Sequence, residues 1–461
     1  MDCMNRIKYI LIAAAILIMA GGSQASAADR SKEFDSIGSY LESALKNANI
    51  PGASIEIVDK DNILYQKTYG NCKSIDTPFI IGSLSKSFTA MAIMKLADED
   101  KIELDSPISE YLPEAPDSKA VTVRQLLNQT SGIDTYAGQE HYEITASQGT
   151  HVYANANYGL LGRIIERVTG CSYEDYVKNN IFTSIGMKHS YTSLKEAKGK
   201  GLINGYRNYF GLTIKDRVSY PEPDSTGWLS VPAGYLISSA SDMGRYLQVY
   251  LSGGKGIVSS ESIHSMFYDN VEIMPEVYYG MGWELLNNKS EPVLEHTGLT
   301  ENYFTDMFLL PESGLGVILL TNTNDYLVAN YLMYAVYESV KRILLGEEPV
   351  RIEASAYWGR HIFLDAVYLI FAVLCLLPLL RIRKWIKRRE KSKSLKWLIS
   401  FIGIHLVLPS VILLIPFFMG VPVKVMKGFA PDLFLIYVFG ITILYGTGIL
   451  KLILKLNAAR C

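Results

Sequence analysis

Long runs of apolar residues stand near both ends of the 461-residue chain, with a mixed polar and apolar sequence between them. Near the amino terminus, one run extends from Tyr9 to Ala20. Toward the carboxyl terminus, three longer runs cover about 362–380, 397–419 and 433–450. A helix needs about 20 apolar residues to cross a bilayer. The last three runs therefore predict transmembrane helices, and the first run is short for that purpose.

The first 28 residues have the pattern of a secretory signal peptide. Arg6 and Lys8 give a basic start, the short apolar run follows, and small residues end the segment at Ala25-Ser26-Ala27. A basic start, a short apolar core and an Ala-x-Ala-like exit are the features of a cleaved export signal. We predict a signal peptide at 1–28, with an uncleaved anchor as the alternative.

The segment 29–346 has the alternating helix and strand patterns of a folded domain. Apolar residues recur every three or four positions from Lys32 to Ala48, which predicts an amphipathic helix. Two runs with strand character, 53–58 and 63–69, flank the polar turn 59–62 and predict a hairpin. Helical patterns dominate from 121 to about 190, strands return at 282–286, 292–295, 303–310 and 315–321, and a last helix is predicted at 326–345. Strands from both ends around a helical middle predict one antiparallel sheet with a helical subdomain.

The loops between the three carboxyl-terminal apolar runs differ in charge. The loop 381–396 carries nine Lys and Arg residues, whereas the next loop carries only Lys424 and Lys427. Because positively charged loops stay in the cytoplasm, the first of these three runs would cross the membrane inward. We therefore predict that the domain 29–346, which precedes this run, lies outside the cell membrane. Residues 347–361 are predicted as a linker and residues 362–461 as a membrane domain.

Charge, cysteine and histidine content narrow the function further. The 44 basic and 46 acidic residues give no basic excess, so nucleic-acid binding is not expected. Only Cys72 and Cys171 fall in the exported part, where they could pair or remain thiols. No histidine has metal-ligand spacing to another histidine or a cysteine, so neither a metal nor another cofactor is expected.

Candidate chemistry begins at Ser83-Leu84-Ser85-Lys86, directly before the apolar helical segment 90–97. Residues three apart share a helix face, so the Ser83 hydroxyl and the Lys86 amine can meet. A helix start also leaves backbone N–H groups free to stabilise an anion. The same spacing occurs at Ser43/Lys46 and Ser252/Lys255, and its ordinary interpretation is a capping serine with a solvated lysine.

Two further motifs follow in chain order. Tyr153-Ala154-Asn155 precedes a predicted helix, and His296-Thr297-Gly298 follows the predicted strand 292–295. The Tyr-x-Asn pattern recurs at Tyr206/Asn208 and Tyr268/Asn270, whereas His-Thr-Gly occurs once. Tyr153 taken alone is equally consistent with a core aromatic residue.

In this order and context, the three motifs resemble the class C β-lactamase and penicillin-binding-protein family of serine hydrolases. The stretches 121–132 and 232–243 are also similar to that family. The resemblance covers roughly Lys32 to Leu345. It implies an α/β (α+β) fold in which an antiparallel sheet is flanked by helices and a helical subdomain, here followed by three transmembrane helices.

The resemblance also implies residue roles. Ser83 would be the nucleophile, Lys86 a base that loses its proton readily when desolvated, and Tyr153 a proton relay to the leaving group. The implied oxyanion hole consists of the backbone N–H groups of Ser83 and Leu299. The implied substrate-binding residues are Asn155, His296, Thr297, Gly298, Leu299 and Asn302.

Two positions depart from the family pattern. His296 stands where the family's lactamases carry lysine, and a largely neutral histidine holds a carboxylate less firmly near pH 7. This favours esterase or D-peptidase activity over efficient β-lactam hydrolysis. Asn302 stands where relatives often carry a small residue, and it is equally consistent with a substrate contact and with a turn residue.

The sequence therefore predicts a membrane-anchored serine hydrolase that forms an acyl-Ser83 intermediate. Its substrates would be small-molecule or peptide-like amides or esters with a D-residue, as in the cell wall. The layout also resembles membrane-bound prodrug-activating peptidases, which implies removal of an N-acyl-D-Asn cap as one form of this activity. The alternative is a penicillin-binding receptor that is acylated without turnover.

Overall fold

In the computed structural model of the protein, the described residues are 27–222, 226–288, 290–388 and 395–459. The predicted signal peptide lies outside them apart from its last two residues, and so does 389–394 of the basic loop. Within the described residues, Cys72 and Cys171 are both free thiols, the first buried and the second exposed.

The strands form one large sheet and two small ones. In chain order they are β1 (Gly52–Val58), β2 (Ile63–Gly70), β3 (Phe79–Ile80), β4 (Tyr206–Tyr209), β5 (Leu212–Lys215), β6 (Ile237–Ser238), β7 (Val271–Met274), β8 (Val277–Tyr279), β9 (Glu284–Leu286), β10 (Val293–Leu299), β11 (Phe304–Leu310), β12 (Leu315–Thr321) and β13 (Thr323–Asn324). The large sheet has the order β2-β1-β12-β11-β10-β9-β8-β7, and the small sheets are β13-β4-β5 and β3-β6.

The helices surround the large sheet and then continue into the carboxyl-terminal part. In chain order they are α1 (Ala27–Asn47), α2 (Ser85–Asp98), α3 (Val123–Leu127), α4 (Asn155–Thr169), α5 (Tyr173–Val177), α6 (Thr183–Ile185), α7 (Leu194–Gly199), α8 (Val231–Gly234), α9 (Ala240–Leu251), α10 (Ser260–Tyr268), α11 (Ala329–Leu344), α12 (Ala354–Leu380), α13 (Ile382–Arg388), α14 (Leu395–Ile402), α15 (Leu408–Phe418), α16 (Val423–Phe429) and α17 (Pro431–Ala459). A short 3₁₀ turn, Gly82–Leu84, stands directly before α2.

The large sheet joins the two ends of the predicted catalytic domain, 29–346, which is called the catalytic part below. The hairpin β1–β2 forms as its pattern predicts, and β1 pairs antiparallel with β12, so that Ile55 lies opposite Leu319. Every residue of β1, β11 and β12 is buried. Helices cover both faces of these strands, which explains their nearly continuous apolar sequences. The predicted antiparallel fold is confirmed.

Each face of the sheet packs against its own apolar core. On one face, α1 and α11 contribute residues such as Ile37, Leu41 and Val336. On the other face, the core includes Phe88 of α2 and Leu160 of α4. The second core lies between the sheet and the helical subdomain, and it is this side that carries the Ser83 turn.

Several element boundaries differ from the sequence-based expectations. Strands β7 and β8 precede the region where strands were expected to return. Strand β10 does not end at Glu295 but continues to Leu299, because the polar His-Thr-Gly stretch pairs with β11 over its whole length. Helix α12 begins at Ala354, so it includes the second half of the segment predicted as a linker.

Three carboxyl-terminal helical segments are long and apolar enough to cross a membrane: Ala354–Lys387, Trp397–Phe418 and Pro431–Asn457. The first starts within the catalytic part. Its Tyr357 hydroxyl accepts hydrogen bonds from Asn49 and Asn208, and its His361 lies 2.9 Å from the Asp325 carboxylate. The catalytic part therefore sits directly on the first of these helices.

Candidate active site

Ser83 lies in the 3₁₀ turn between strand β3 and helix α2. Pairing of β3 with β6 fixes the entry to this turn. Gly82 has a φ of +56°, which glycine adopts without strain. A Cβ on Gly82 would lie 2.5 Å from the backbone nitrogen of Leu299. Only glycine therefore allows the serine turn to lie against the end of β10.

Lys86 is fully buried beneath Ser83. Its Nζ lies 3.1 Å from the Ser83 Oγ, 2.7 Å from the Asn155 Oδ1 and 2.6 Å from the Ala233 carbonyl oxygen. None of these partners in the described part of the chain is a carboxylate. Burial without a counter-charge lowers the pKa of Lys86 well below its ordinary value.

The contacts of Lys86 fit both of its protonation states. An ammonium Nζ donates to all three oxygens, whereas an unprotonated Nζ, the form that burial favours, has two N–H donors and one lone pair. The Asn155 Oδ1 and the Ala233 carbonyl oxygen can only accept, so they take the two N–H groups. The lone pair is then free to accept the Ser83 hydroxyl proton. In this geometry a base stands ready at the serine oxygen.

Tyr153 approaches Ser83 from the other side. Its hydroxyl interacts with the Ser83 side chain, and the Lys86 Nζ lies 4.6 Å from the centre of its ring. Burial, with a smaller contribution from the neighbouring Tyr279, raises the pKa of Tyr153 well above its ordinary value. Tyr153 therefore holds its proton at neutral pH.

Gln129 fixes the loop that carries Tyr153. Its backbone carbonyl oxygen accepts from the Val152 N–H at 2.8 Å, and its side-chain Oε1 accepts from the Ala154 N–H at 3.1 Å. The same Oε1 accepts from the Asn157 side chain. Gln129 is fully buried and has a φ of +59°. The backbone and side chain of this one residue thus tie the residues before and after Tyr153 to the helical subdomain.

His296 lies on β10, facing the same cluster. It is only 2% exposed, and burial lowers its pKa to about 3. Its Nδ1 lies 2.7 Å from the Thr297 carbonyl oxygen, which can only accept, so Nδ1 carries the ring proton. Its Nε2 is an acceptor 3.5 Å from the Tyr279 hydroxyl. His296 is therefore a neutral group in this site.

The end of β10 presents a free N–H group beside Ser83. The Thr300 N–H donates to Tyr303 across the β10–β11 hairpin. Since alternate residues of an antiparallel strand point their N–H groups the same way, the Leu299 N–H points away from β11. On that side β9 pairs only with 293–295, so the strand edge is open beside Leu299.

Close packing holds this edge against the serine turn. A Cβ on Gly298 would lie 2.1 Å from the Ile81 carbonyl oxygen. The Thr305 hydroxyl donates to the same Ile81 carbonyl at 2.8 Å. The serine turn and the end of β10 are therefore in direct contact, and the backbone nitrogen of Leu299 lies beside the turn that carries Ser83.

Most of the predicted site residues come together, and two have other surroundings. Ser83, Lys86, Tyr153, Asn155, His296, Gly298 and Leu299 form one cluster. The Thr297 side chain interacts with the Tyr334 hydroxyl. Asn302 is buried in the β10–β11 turn against Gly205, and its Nδ2 has no hydrogen-bond partner among the described residues.

The two rival Ser-x-x-Lys patterns have no comparable surroundings. Ser43 is exposed on α1, where its hydroxyl bonds to the Tyr40 carbonyl oxygen. Ser252 follows α9 and is also exposed, and its hydroxyl bonds to the Gln248 carbonyl oxygen. Both serines bond back to the preceding helical turn, which is common for exposed serines.

Sequence reasoning missed three groups that shape the site: Gln129, the Ala233 carbonyl and Tyr279. The first two fall in stretches recognised only as generally similar to the family. A buried glutamine next to Thr-Ser-Gly is a weak signal of a structural role. Tyr279 lies on β8, and nothing in its local sequence points to the His296 contact.

Comparison with known proteins places these features in a family. Residues 37–336 match the family described as Beta-lactamase. Protein flp of Staphylococcus aureus (strain NCTC 8325 / PS 47) is 27% identical over 333 residues, covering 64% of this chain. The match spans only 64% of the length of that relative.

Several solved structures share the fold. The octameric penicillin-binding protein homologue from Pyrococcus abyssi superposes with a TM-score of 0.60 at 28% identity, over 71% of this chain and 80% of the other. A class C β-lactamase superposes with a TM-score of 0.58 at 22% identity, over 68% of this chain and 99% of the other. A D-stereospecific amidohydrolase from Streptomyces sp. superposes with a TM-score of 0.53 at 22% identity, over 63% of this chain and 94% of the other. The last two likenesses show the fold. Since the family match covers well over half of the chain and includes the Ser83 cluster, this protein belongs to the β-lactamase family of serine hydrolases.

Proposed function

We propose that the protein cleaves peptide-like amides or esters through an acyl-Ser83 intermediate. One observation carries the proposal: the buried Lys86 amine has no carboxylate among its described partners, and its Nζ lies 3.1 Å from the Ser83 Oγ. A serine becomes a nucleophile only when an adjacent group can take its proton. A lysine kept neutral by burial is such a group.

The chemical steps follow from the positions of these groups. The Ser83 Oγ attacks the substrate carbonyl carbon while Lys86 accepts the hydroxyl proton. The N–H groups of Ser83 and Leu299 stabilise the oxyanion. Tyr153, protonated because its pKa is raised, gives a proton to the leaving nitrogen or oxygen as that bond breaks, and the proton held by Lys86 then restores Tyr153. Water next attacks the acyl-Ser83 ester, releasing a carboxylic acid and regenerating the serine hydroxyl.

The neutral His296 supports a substrate other than a β-lactam. A fixed cation at this position would pair with a substrate carboxylate, whereas a histidine with a pKa of about 3 carries no charge near neutrality. The fold is shared with a D-stereospecific amidohydrolase. We therefore favour amides or esters with a D-residue, including an N-acyl-D-Asn cap, for which the unpartnered Asn302 amide is a candidate contact.

The same proposal includes anchoring in the cell membrane, with the catalytic domain outside and connected to the membrane domain by the short segment before α12. The basic loop 381–396 follows the far end of α12, whereas the catalytic part contacts the near end of that helix. A cytoplasmic position for the basic loop would place the catalytic part on the opposite side. The predicted division into 29–346, 347–361 and 362–461 stays a proposal.

Intact-mass analysis of the purified full-length chain tests the nucleophile. After treatment with a fluorophosphonate or a penicillin, we expect one added mass in the wild type and none in Ser83→Ala. Ser43→Ala is the matched control, because it removes the serine of an exposed Ser-x-x-Lys pattern, and it should label like the wild type. Labelling that persists in Ser83→Ala refutes the assignment.

A second assay separates the substrate classes. N-acyl-D-Asn amides and N-acyl-D-Ala-D-Ala are incubated with the protein, and products are followed by mass spectrometry. Release of many product molecules per enzyme identifies a hydrolase. A stable acyl-enzyme after one equivalent would instead favour the penicillin-binding receptor. No release from N-acyl-D-Asn amides would exclude the prodrug-type activity.

A further inference from the structure

A cavity of about 890 Å³ lies among the three membrane-spanning segments, near the ends that the basic loop 381–396 connects. Its volume falls within the range of ligand pockets, roughly 300–1,000 Å³. Helices α12 and α13 form one wall, and the second and third spans form the others. All of its lining residues in the described part of the chain fall within 371–451, so the cavity belongs to the membrane domain.

The lining of this cavity changes from apolar to basic along the spans. Its basic residues are Arg381 directly after α12, Lys384 on α13 and Lys451 on the third span. At the opposite end, the lining on α12 begins at Phe371. Phe371 is ten residues before Arg381, which is about 15 Å along a helix. This is about half the hydrocarbon thickness of a bilayer, so the apolar part of the cavity is as long as one leaflet is deep.

The basic end of the cavity has no acidic counterpart. None of the described residues that line it is Asp or Glu. The side chains of Arg381 and Lys384 are exposed, and neither forms an ion pair with a residue in the described ranges. Three cations therefore converge on one end of a cavity whose own lining does not neutralise them.

Lys451 is the most informative of these cations, because it is only 9% exposed. Its Nζ lies 2.8 Å from the Nε2 of His405, and the Nδ1 of that ring lies 2.9 Å from the Leu444 carbonyl oxygen. The carbonyl can only accept, so Nδ1 carries a proton. The amine is the stronger base, so it donates to Nε2. The Nζ keeps at least one further N–H group for an acceptor that enters the cavity.

Two tryptophans mark the depth of the basic end. Trp385 and Trp397 both line the cavity, and their rings lie 6.5 Å apart. The Lys451 Nζ lies 5.9 Å from the centre of the Trp385 ring. Tryptophan is enriched at the level of lipid headgroups, where one side of the ring is apolar and the other is wet. The basic end of the cavity is therefore at headgroup depth, on the side of the basic loop.

We propose that this cavity binds an anionic phospholipid from the leaflet on the side of the basic loop. The lipid phosphate lies among the three cations and accepts from Lys451, and an acyl chain lies along the apolar part of α12. Basic pockets between transmembrane helices recognise such headgroups. The topological effect of basic loops accounts for Arg381 and Lys384, but not for a buried lysine in the third span. The site requires the proposed membrane arrangement and is independent of the proposed chemistry of Ser83.

Native mass spectrometry of the full-length protein measures this binding. The protein is purified in an uncharged detergent and titrated with dioleoyl phosphatidylglycerol, with dioleoyl phosphatidylcholine and with glycerol 3-phosphate. We expect a complex with one lipid, whose dissociation constant is lower for phosphatidylglycerol than for phosphatidylcholine by about tenfold or more. Glycerol 3-phosphate has the phosphate without the chains, and at the same concentrations it should not displace the lipid.

Two double variants separate the cavity from general surface charge. Arg381→Gln/Lys384→Gln removes two cations that line the cavity, whereas Arg383→Gln/Lys387→Gln removes two cations of the same segment that do not. All four side chains are exposed, so neither variant disturbs packing. A cation near the headgroup is worth about fivefold in affinity, equivalent to about 1 kcal/mol. The cavity variant should therefore bind phosphatidylglycerol about 30-fold more weakly, and its partner should bind within about twofold of the wild type.

A pair of tryptophan variants tests the apolar part. Leu377→Trp fills the cavity from α12, whereas Leu380→Trp adds the same bulk at a position that is 68% exposed outside it. Each methylene that no longer fits costs up to about fourfold, equivalent to about 0.8 kcal/mol. Loss of room for two methylenes therefore weakens binding more than about tenfold, and Leu380→Trp should bind like the wild type.

Three results would overturn the proposal. They are equal affinities of the two double variants, equal affinities for the two phospholipids, and displacement of the lipid by glycerol 3-phosphate, which would identify a site for a free anion. Binding is measured without turnover. A failure of Ser83 labelling would therefore refute the proposed function and leave the lipid site standing.

Discussion

Asn155→Asp tests the protonation state of Lys86. The Asn155 Oδ1 lies 2.7 Å from the Lys86 Nζ and accepts one of its N–H groups. Aspartate has nearly the same shape, but it places a negative charge at this distance. An opposite charge this close favours the ammonium form and raises a lysine pKa by roughly 1–3 units. The substitution therefore favours the protonated form of Lys86 over the neutral base.

The sign and size of the effect follow from this shift. The reaction needs unprotonated Lys86, so the rate rises with pH through the Lys86 pKa. Raising that pKa moves the acidic limb of the profile to higher pH by roughly 1–3 units. At a fixed pH below the new value, each unit lowers the fraction of neutral amine tenfold. We expect kcat/KM at pH 7 to fall, by up to about 1,000-fold, and to recover partly in alkaline solution.

The assay is a kcat/KM profile between pH 5 and 10 on an amide substrate that the wild type cleaves. Asn155→Ala is the matched control, because it removes the same acceptor without adding charge. Its rate should fall through loss of positioning, and its acidic limb should not move upward. If the limb of Asn155→Asp coincides with that of the wild type, the neutral-lysine assignment is wrong.

Three further substitutions probe the strand edge, the tyrosine loop and the neutral histidine. Gly298→Ala would place a Cβ 2.1 Å from a carbonyl oxygen, so we expect about a 100-fold loss of kcat, whereas Gly199→Ala, with open space around it, should match the wild type. Gln129→Leu leaves the buried Ala154 N–H unpaired, which should cost about 1–3 kcal/mol in thermal or chemical unfolding and lower kcat; unchanged stability would contradict its bracing role. Because the pKa of His296 is about 3, inhibition by carboxylate-bearing substrate analogues should show no histidine titration between pH 5 and 7. His296→Lys should tighten that inhibition about tenfold, and an unchanged inhibition constant would show that this position does not contact the carboxylate.

The sequence determined much of this protein through local patterns. Three features depend only on residues that are close together in the chain. They are the hairpin around the turn 59–62, the spacing of Ser83 and Lys86, and the three apolar runs. Helical and strand periodicity place such side chains on known faces without knowledge of the rest of the chain. The order of the elements, with strands first and last around a helical middle, also allowed us to infer that early and late strands pair in one antiparallel sheet.

Other properties depended on contacts between distant segments. The neutral states of Lys86 and His296 follow from burial and from partners such as Ala233 and Tyr279, and no local pattern reports the solvent exposure of a side chain. The role of Gln129 arises only because the loop after α3 folds beside the start of α4. These groups acquire their chemistry from desolvation and hydrogen bonding, which exist only in the packed molecule.

The end of strand β10 shows the same division most clearly. His296-Thr297-Gly298 was recognised as a motif, yet its strand was expected to end before it, and glycine has a low strand propensity. Pairing with β11 and close packing against Gly82 override that propensity. Leu299 at the end of β10 also lines an apolar cavity, together with residues of three helices that sequence analysis treated only as anchors. This cavity exists because of the way those helices pack against the end of β10, which only the tertiary structure decided.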